Sequence, residues 1–338
     1  MRPGTVMRAL RDAALSWPHL ARVLLLLLAT VRPVHAMQAC GDDVDGHGTE
    51  VPCACGDLLV SSRTLRAADR ITHERCPGTG LTVASASPVT LAFDGRAIRG
   101  QGQGVGVLVA RGSLSLVGPG TIEGFGTGAF ARGPTALRSA VGMRFRANRG
   151  TGLVVASDGY TIQGNVAENN GRDGFSLDGN AYALDGNQAA GNHRYGFYLL
   201  GMGAHVGGGL GNEARGNARA GFWLYGMMHQ VDGATTTGNG DYGFYAMLWN
   251  GWLANIRADH NASDGVRAMG MGIAIQDSRA TDNVGLGVWV TGGMLEDGGG
   301  NSGADNVGLM GQPALYPMML HETAPALLQC RIGTAPCR

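Results

Sequence analysis

Two neighbouring segments place reactive side chains in the same frame. "NGRDGFSLDG" (170–179) sets Arg172 and Asp173 ahead of a glycine and an alternating apolar run, and "NHRYGFYLLG" (192–201) repeats the outline with His193 and Arg194. Arg219, Asp241 and Asp264 hold matching places further on. A guanidinium grips a carboxylate with two parallel hydrogen bonds, while Asp and His pass protons. Asp173, His193, Arg194, Asp241 and Asp264 are therefore the candidate catalytic groups. The middle residue of each apolar triplet reads Val154, Ser176, Tyr198, Trp223, Tyr245, Arg267 and Trp289; two places on come Asp178, Tyr225, Met247 and Met269. Flat rings in register suit stacking on sugar rings. Asp178, Tyr198, Trp223, Tyr225, Tyr245, Arg267 and Trp289 thus form a candidate polysaccharide-binding set. The plainer account is that aromatic residues favour strand surfaces. A further outward group, Met202, Met227, Met228, Trp249, Trp252 and Met271, is an apolar patch of the kind that marks association, here as a homo-oligomer.

The frame is a repeat. The glycine before each triplet falls at 80, 106, 128, 152, 174, 196, 221, 243, 265 and 287, mostly 22 residues apart. Four residues before the later glycines stand Asn148, Asn170, Asn192, Asn217, Asn239, Asn261 and Asn283, with Asn306 next in line. Alternation after each glycine means a strand with one buried face. A second apolar beat follows at Ile162, Leu184, Val206, Val231, Leu253 and Ile275, and a third at Ala167, Ala189, Ala214, Thr236, Ala258 and Ala280. Three short strands per repeat describe one turn of a right-handed parallel β-helix. Leucine-rich repeats would need a regular Leu frame and a helical half. The fold class is all-β: a single-stranded solenoid of about 10–11 coils of ~22 residues, each adding ~4.8 Å. Asparagines stacked at one corner can hydrogen-bond amide to amide as a ladder. Asn261 also heads the glycosylation pattern "NAS", but as a ladder member it is shielded.

Composition fits this reading. The 338 residues include 58 Gly without a three-residue period, so the chain is an ordered, turn-rich repeat. There is no Lys; all 26 basic residues are Arg, which excludes a Lys base or Schiff base. Arg2, Arg8, Arg11 and Arg22 precede the apolar run Val23–Val31 and the small-residue site "VHA", which predicts a secretory signal peptide at 1–36. The run is too short to span a bilayer. Without it, 21 Arg face 25 acids, a net charge of about −4 with no basic patch; nucleic acid is not an expected partner. The six cysteines cluster at the ends, and an exported protein with an even number is expected to pair them. Cys55 and Cys76 flank the first strand region, Cys330 and Cys337 close a short loop, and Cys40–Cys53 remains. "CAC" (53–55) lacks the spacing of a zinc site. The chain then divides into an N-terminal cap at 37–79, the β-helix at 80–311 and a C-terminal cap at 312–338. "DDVDG" (42–46) has calcium-loop spacing without the later bidentate acid, so no resident metal or cofactor is expected beyond that possible calcium.

The stretch from "CGDLLVSSRTLRAADRITHERCPGTG" (55–80) through "GPGTIEGFGTG" resembles the start of secreted bacterial right-handed parallel β-helix repeat proteins with the pectate-lyase-like fold. The resemblance covers nearly the whole chain after residue 36. It implies polysaccharide lyases, glycoside hydrolases, alginate-type epimerases or members without activity, because fold does not settle function. Their catalytic signatures are incomplete here. "GHG" (46–48) lies in the cap without partner carboxylates, "RGPTALR" (132–138) places Arg138 one residue late, "ADH" (258–260) lacks aromatic context, and no Asp-Pro-His-Asp occurs. The expectation is a secreted β-helix acting on or binding an extracellular polysaccharide, or else a non-catalytic, self-associating surface module.

Overall fold

The computed structural model describes residues 37–307 throughout and, beyond them, the strands Met318–Glu322, Arg331–Ile332 and Ala335–Pro336. The predicted signal peptide and the Cys330–Cys337 pairing fall outside the described residues. No helix among the described residues is long and apolar enough to cross a membrane.

Alternation has produced strands wherever the repeat required them. The triplets become Leu153–Ala156, Phe175–Asn180, Phe197–Met202, Phe222–Met227, Phe244–Trp249, Val266–Met271 and Val288–Gly293, members of one 13-stranded sheet. Every pairing along it is parallel, and from Leu153 onward in register, as in Phe197↔Phe222↔Phe244↔Val266; the one shift lies at Val83/Ala84. The second and third beats form short parallel strands on the remaining sides, and their apolar residues are fully buried. Phe175, Phe197, Phe222 and Phe244 stack along the axis at 5.0, 4.5 and 4.7 Å between ring centres.

The turn count is about twelve, above the ten or eleven expected. Ala39–Cys40 and Asp57–Leu59 already stack on the sheet ahead of Gly80, with Asp57 opposite Leu81. In the second of these coils Gly56 holds the glycine's place opposite Gly80, but the buried Asp57 takes the first apolar place of the triplet and accepts the Ala54 N–H at 2.7 Å. Cys40–Cys53 and Cys55–Cys76 are both formed, as expected. The fully buried Arg63 guanidinium pairs with Asp69 at 2.9 Å, Asp42 at 2.8 Å and Glu50 at 2.6 Å. A buried charge is tolerable only when paired in this way.

The asparagine ladder exists and explains the glycines. From Asn148 to Asn306 each amide donates to the next Oδ1 at 2.9–3.0 Å, and each Oδ1 also accepts the backbone N–H of the preceding rung. A Cβ on Gly196 would lie 2.7 Å from the Gly221 carbonyl and 2.9 Å from Asn217 Nδ2. Only glycine lets coils approach that closely beside the ladder.

Two further internal devices accompany it. Asn165, Asn187 and Asn212 form a second buried ladder at another corner. At the end of the long strands, Tyr160 donates to the Asp178 carbonyl at 3.4 Å and Tyr182 to the Leu200 carbonyl at 3.0 Å. Their rings stack at 4.8 Å. His229 serves the next carbonyl of that column, Tyr225, at 3.3 Å, while its Nδ1 accepts the Ala204 N–H at 3.1 Å. An amide N–H always donates, so the ring proton sits on Nε2.

Candidate functional site

The outward residues of the long-strand sheet lie in columns parallel to the axis. Ser176, Tyr198, Trp223, Tyr245, Arg267 and Trp289 are direct neighbours on successive coils. Beside them the corner preceding each strand carries Arg172, Arg194, Arg219 and Asp241, linked rung to rung for the first three by backbone hydrogen bonds. Sequence alternation had assigned these sides correctly.

The rings do not lie flat toward solvent. Trp223 and Tyr245 stack at 4.1 Å with planes 20° apart, and Tyr195 stacks on Tyr198 at 5.6 Å and 11°. Arg194 sits 4.5 Å above Tyr195, and Arg267 sits 3.8 Å above Trp289. Tyr195 is buried and Tyr198, Trp223, Tyr245 and Trp289 are half-buried, each with a neighbouring ring or guanidinium on a face, so the strip offers chiefly ring edges and guanidinium groups. Tyr195 and Tyr242 complete it, and the sequence reading missed both. They occupy the inward-leaning place just before the repeat glycine, at Tyr-Gly in "HRYGFYL" and "GDYGFYA".

The candidate carboxylates fall into two kinds. Asp173 and Asp264 are buried and do the same structural job. Asp173 Oδ1 accepts the Tyr195 N–H at 3.2 Å and Asp264 Oδ1 accepts the Leu286 N–H at 2.8 Å, while their second oxygens face Arg194 at 3.6 Å and Arg267 at 3.3 Å. Burial pushes both carboxyls up from their ordinary range, against the pull of those hydrogen bonds and arginines. They lie four coils apart, ~19 Å at the ladder spacing, so they cannot act on one bond.

Asp241 differs. It is half-buried and lies in the fields of Arg219 and Arg267, which pull its pKa down; burial prevails and raises it. The Tyr245 hydroxyl, close enough to feel Asp241, is also raised, chiefly by burial, and so stays protonated at neutral pH. Arg219, then Asp241 with Tyr245, then Arg267 fall on three successive coils, Tyr245 and Arg267 being direct neighbours. His193 is exposed on the corner ahead of Arg194, and Asp178 is exposed at the far side of the sheet; neither joins this set. Among the described residues, neither Arg172 nor Arg219 is ion-paired with a carboxylate.

Tyr225 lies away from the strip. It meets Trp249 edge to face at 5.9 Å and 82°. Met202, Met227, Trp249 and Met271 are direct neighbours on four coils and exposed, as the sequence pattern implied; Met228 belongs to the following corner, and Trp252, half-buried, opens the next strand, Trp252–Ala254.

The loop with calcium-like spacing is occupied by its own donors. Asp45 accepts from the His47 N–H at 2.9 Å and the Thr49 hydroxyl at 2.6 Å, Asp43 accepts the Gly48 N–H at 2.9 Å, and Asp42 pairs with Arg63. These acceptor oxygens serve N–H and O–H groups of the loop itself. No cluster of His, Cys, Asp and Glu among the described residues could hold a metal ion.

No protein-family model matches the chain, and no curated protein matches it in sequence. Solved structures match in fold. The Azotobacter vinelandii mannuronan C-5 epimerase AlgE4 A-module gives a TM-score of 0.50 at 19% identity, over 79% of this chain and 82% of that one. The AlgE6 A-module of the same organism gives 0.37 at 16% identity, over 79% and 78%. The catalytic unit of a thermostable α-1,3-glucanase from Streptomyces thermodiastaticus gives 0.32 at 14%, over 81% and 70%. At these identities the likeness is one of backbone architecture, and only the first score is high enough to bear on it. Taken with the ladders and the in-register sheet, it identifies this chain as a parallel β-helix repeat protein.

Proposed function

We propose that the outward face of the long-strand sheet binds an acidic polysaccharide lying along the solenoid axis, and that Asp241 moves a proton on the bound chain. The carrying observation is the placement of a half-buried Asp241 on the coil between those of Arg219 and Arg267, with Tyr245 on its own coil and next to Arg267. Removing a proton next to a uronate carboxylate requires that this carboxylate be neutralised, a task that suits a guanidinium. A base with a raised pKa then takes the proton, and a phenol supplies one. This arrangement favours lyase or epimerase chemistry over hydrolysis, because Asp264, the nearest second carboxyl, is tied to the Leu286 N–H and Arg267. The mannuronan epimerase among the fold neighbours supports the same substrate class. Two formed disulfides support an oxidising, extracellular or periplasmic setting.

The test is incubation with mannuronan, polygalacturonate and a neutral glucan. Ultraviolet absorbance reports unsaturated uronate, NMR reports C5 configuration, and a reducing-end assay reports cleavage. Product from a uronate polymer, reduced at least ~10²-fold by Asp241→Asn, is expected. Binding without product would instead favour a non-catalytic surface module, the reading that the exposed Met/Trp column also supports.

A further inference from the structure

The aromatic strip has few free ring faces, so a pyranose seeking a flat platform must find it elsewhere. Tyr225 and Trp249 are 45% and 41% exposed. They meet edge to face, not stacked, with Met227 and Met271 beside Trp249 on the adjacent coils. Together with Met227, Gly201 and Gly226 they line a groove of about 380 Å³, at the small end of the ~300–1,000 Å³ typical of ligand sites. Gly201 and Gly226 are direct neighbours on adjacent coils and keep the floor free of side chains. No charged residue lines the groove. Trp223 and Tyr225 share one strand and point to the same side, so the groove adjoins the charged strip on the same sheet.

We infer that the Tyr225–Trp249 groove is a second carbohydrate subsite, taking the apolar face of an uncharged pyranose by stacking on Trp249. This rests on the reading of the sheet face as glycan-binding, and adds that it recognises two kinds of unit: charged ones at Arg172–Arg194–Arg219 and uncharged ones here. A tryptophan face with a perpendicular tyrosine supplies a platform and a wall, and the Tyr225 hydroxyl can meet a sugar hydroxyl. A uronate carboxylate would lose its hydration in this groove without finding a partner.

Calorimetry with a linear neutral hexasaccharide (mannohexaose, then cellohexaose) and with a mannuronate hexamer tests this, alongside light scattering. The expected result is binding of a neutral hexasaccharide that Trp249→Ala or Tyr225→Ala weakens by about tenfold or more, while Arg219→Ala leaves it unchanged. Trp249→Phe should recover most of the affinity, and the melting temperatures of the variants should stay near wild type. Neutral hexasaccharide affinity unchanged in Trp249→Ala, or no binding of either neutral hexasaccharide to the wild type, would overturn the inference. So would a dimer in the wild type that Trp249→Ala converts to monomer without altering glycan affinity, since the groove would then belong to self-association. Loss of mannuronate binding alone would count against the charged strip and leave the groove standing, so the two readings fail separately.

Discussion

Asn217 stands fully buried with its amide 3.0 Å from Asn239 Oδ1 and 3.1 Å from the Ala189 carbonyl, while its own Oδ1 accepts both the backbone and side-chain N–H of Asn192. One side chain thus joins three coils. Asn217→Leu strands two donors on Asn192 and one carbonyl on Ala189. Each buried orphan costs about 1–3 kcal/mol, so the loss of stability should be at least that large. Chemical denaturation monitored by circular dichroism measures it; an unchanged midpoint would mean the corner is hydrated.

Adjacent residues on one strand should behave differently. Phe222 lies between Phe197 and Phe244 in the core, and Phe222→Ala should cost about 3–5 kcal/mol. Trp223 faces outward but stacks on Tyr245, and Trp223→Ala should cost only about 1–2 kcal/mol, the scale of an aromatic pair with partial burial. Equal losses at the two positions would contradict the strand's register.

His229 predicts acid sensitivity. Burial lowers its pKa, the Tyr225 carbonyl only partly opposing, and protonation would put a hydrogen on the Nδ1 that accepts the Ala204 N–H. With the folded pKa below the unfolded value of ~6.5, its stability contribution is complete above that pH. It is lost as pH falls through the folded pKa. Urea midpoints between pH 7.5 and 5 should fall more steeply for wild type than for His229→Gln; parallel slopes would exclude His229 as the source.

Asp241 and Asp264 should separate chemistry from structure. Asp264→Asn keeps an oxygen for the Leu286 N–H and removes a buried charge, so stability near neutral pH should change by no more than about 1 kcal/mol. The raised pKa of Asp264 gives a contribution complete below the unfolded carboxylate value and lost as pH rises through the folded one. The substitution should therefore flatten stability across that window. Asp241→Asn should leave the melting temperature near wild type and remove turnover of the uronate polymer. If Asp264→Asn abolishes turnover and Asp241→Asn does not, their roles are reversed.

What the sequence disclosed depended on repetition. The Asn148–Asn306 ladder was legible because one residue type returned in strict register, and alternation assigned Phe222 inward and Trp223 outward. The Asn165–Asn187–Asn212 ladder was missed because Ala234 and Ile256 interrupt that position after three coils. Tyr160, Tyr182 and His229 perform one task with different residue types, so no pattern marks them. The first coils were hidden because the buried Asp57 takes the first apolar place after Gly56, and in the coil before it Met37 stands where the glycine would be. Side-chain rotation is also invisible to alternation: it placed Trp223 and Tyr245 on one side but could not show that they would cover each other's faces.

The uniform cross-section set by the ladder has a consequence for heredity. Excising residues 218–239 would join Asn217 to Gly240 and leave the Asn–three–Gly spacing of Asn217 and Gly243 intact, with the ladder one rung shorter. In a solenoid whose coils contact only their neighbours, stability is close to a sum over repeats. Duplication or loss of one such genetic unit would therefore lengthen or shorten the outward face without redesigning any coil, making the length of that face the trait most open to evolutionary adjustment.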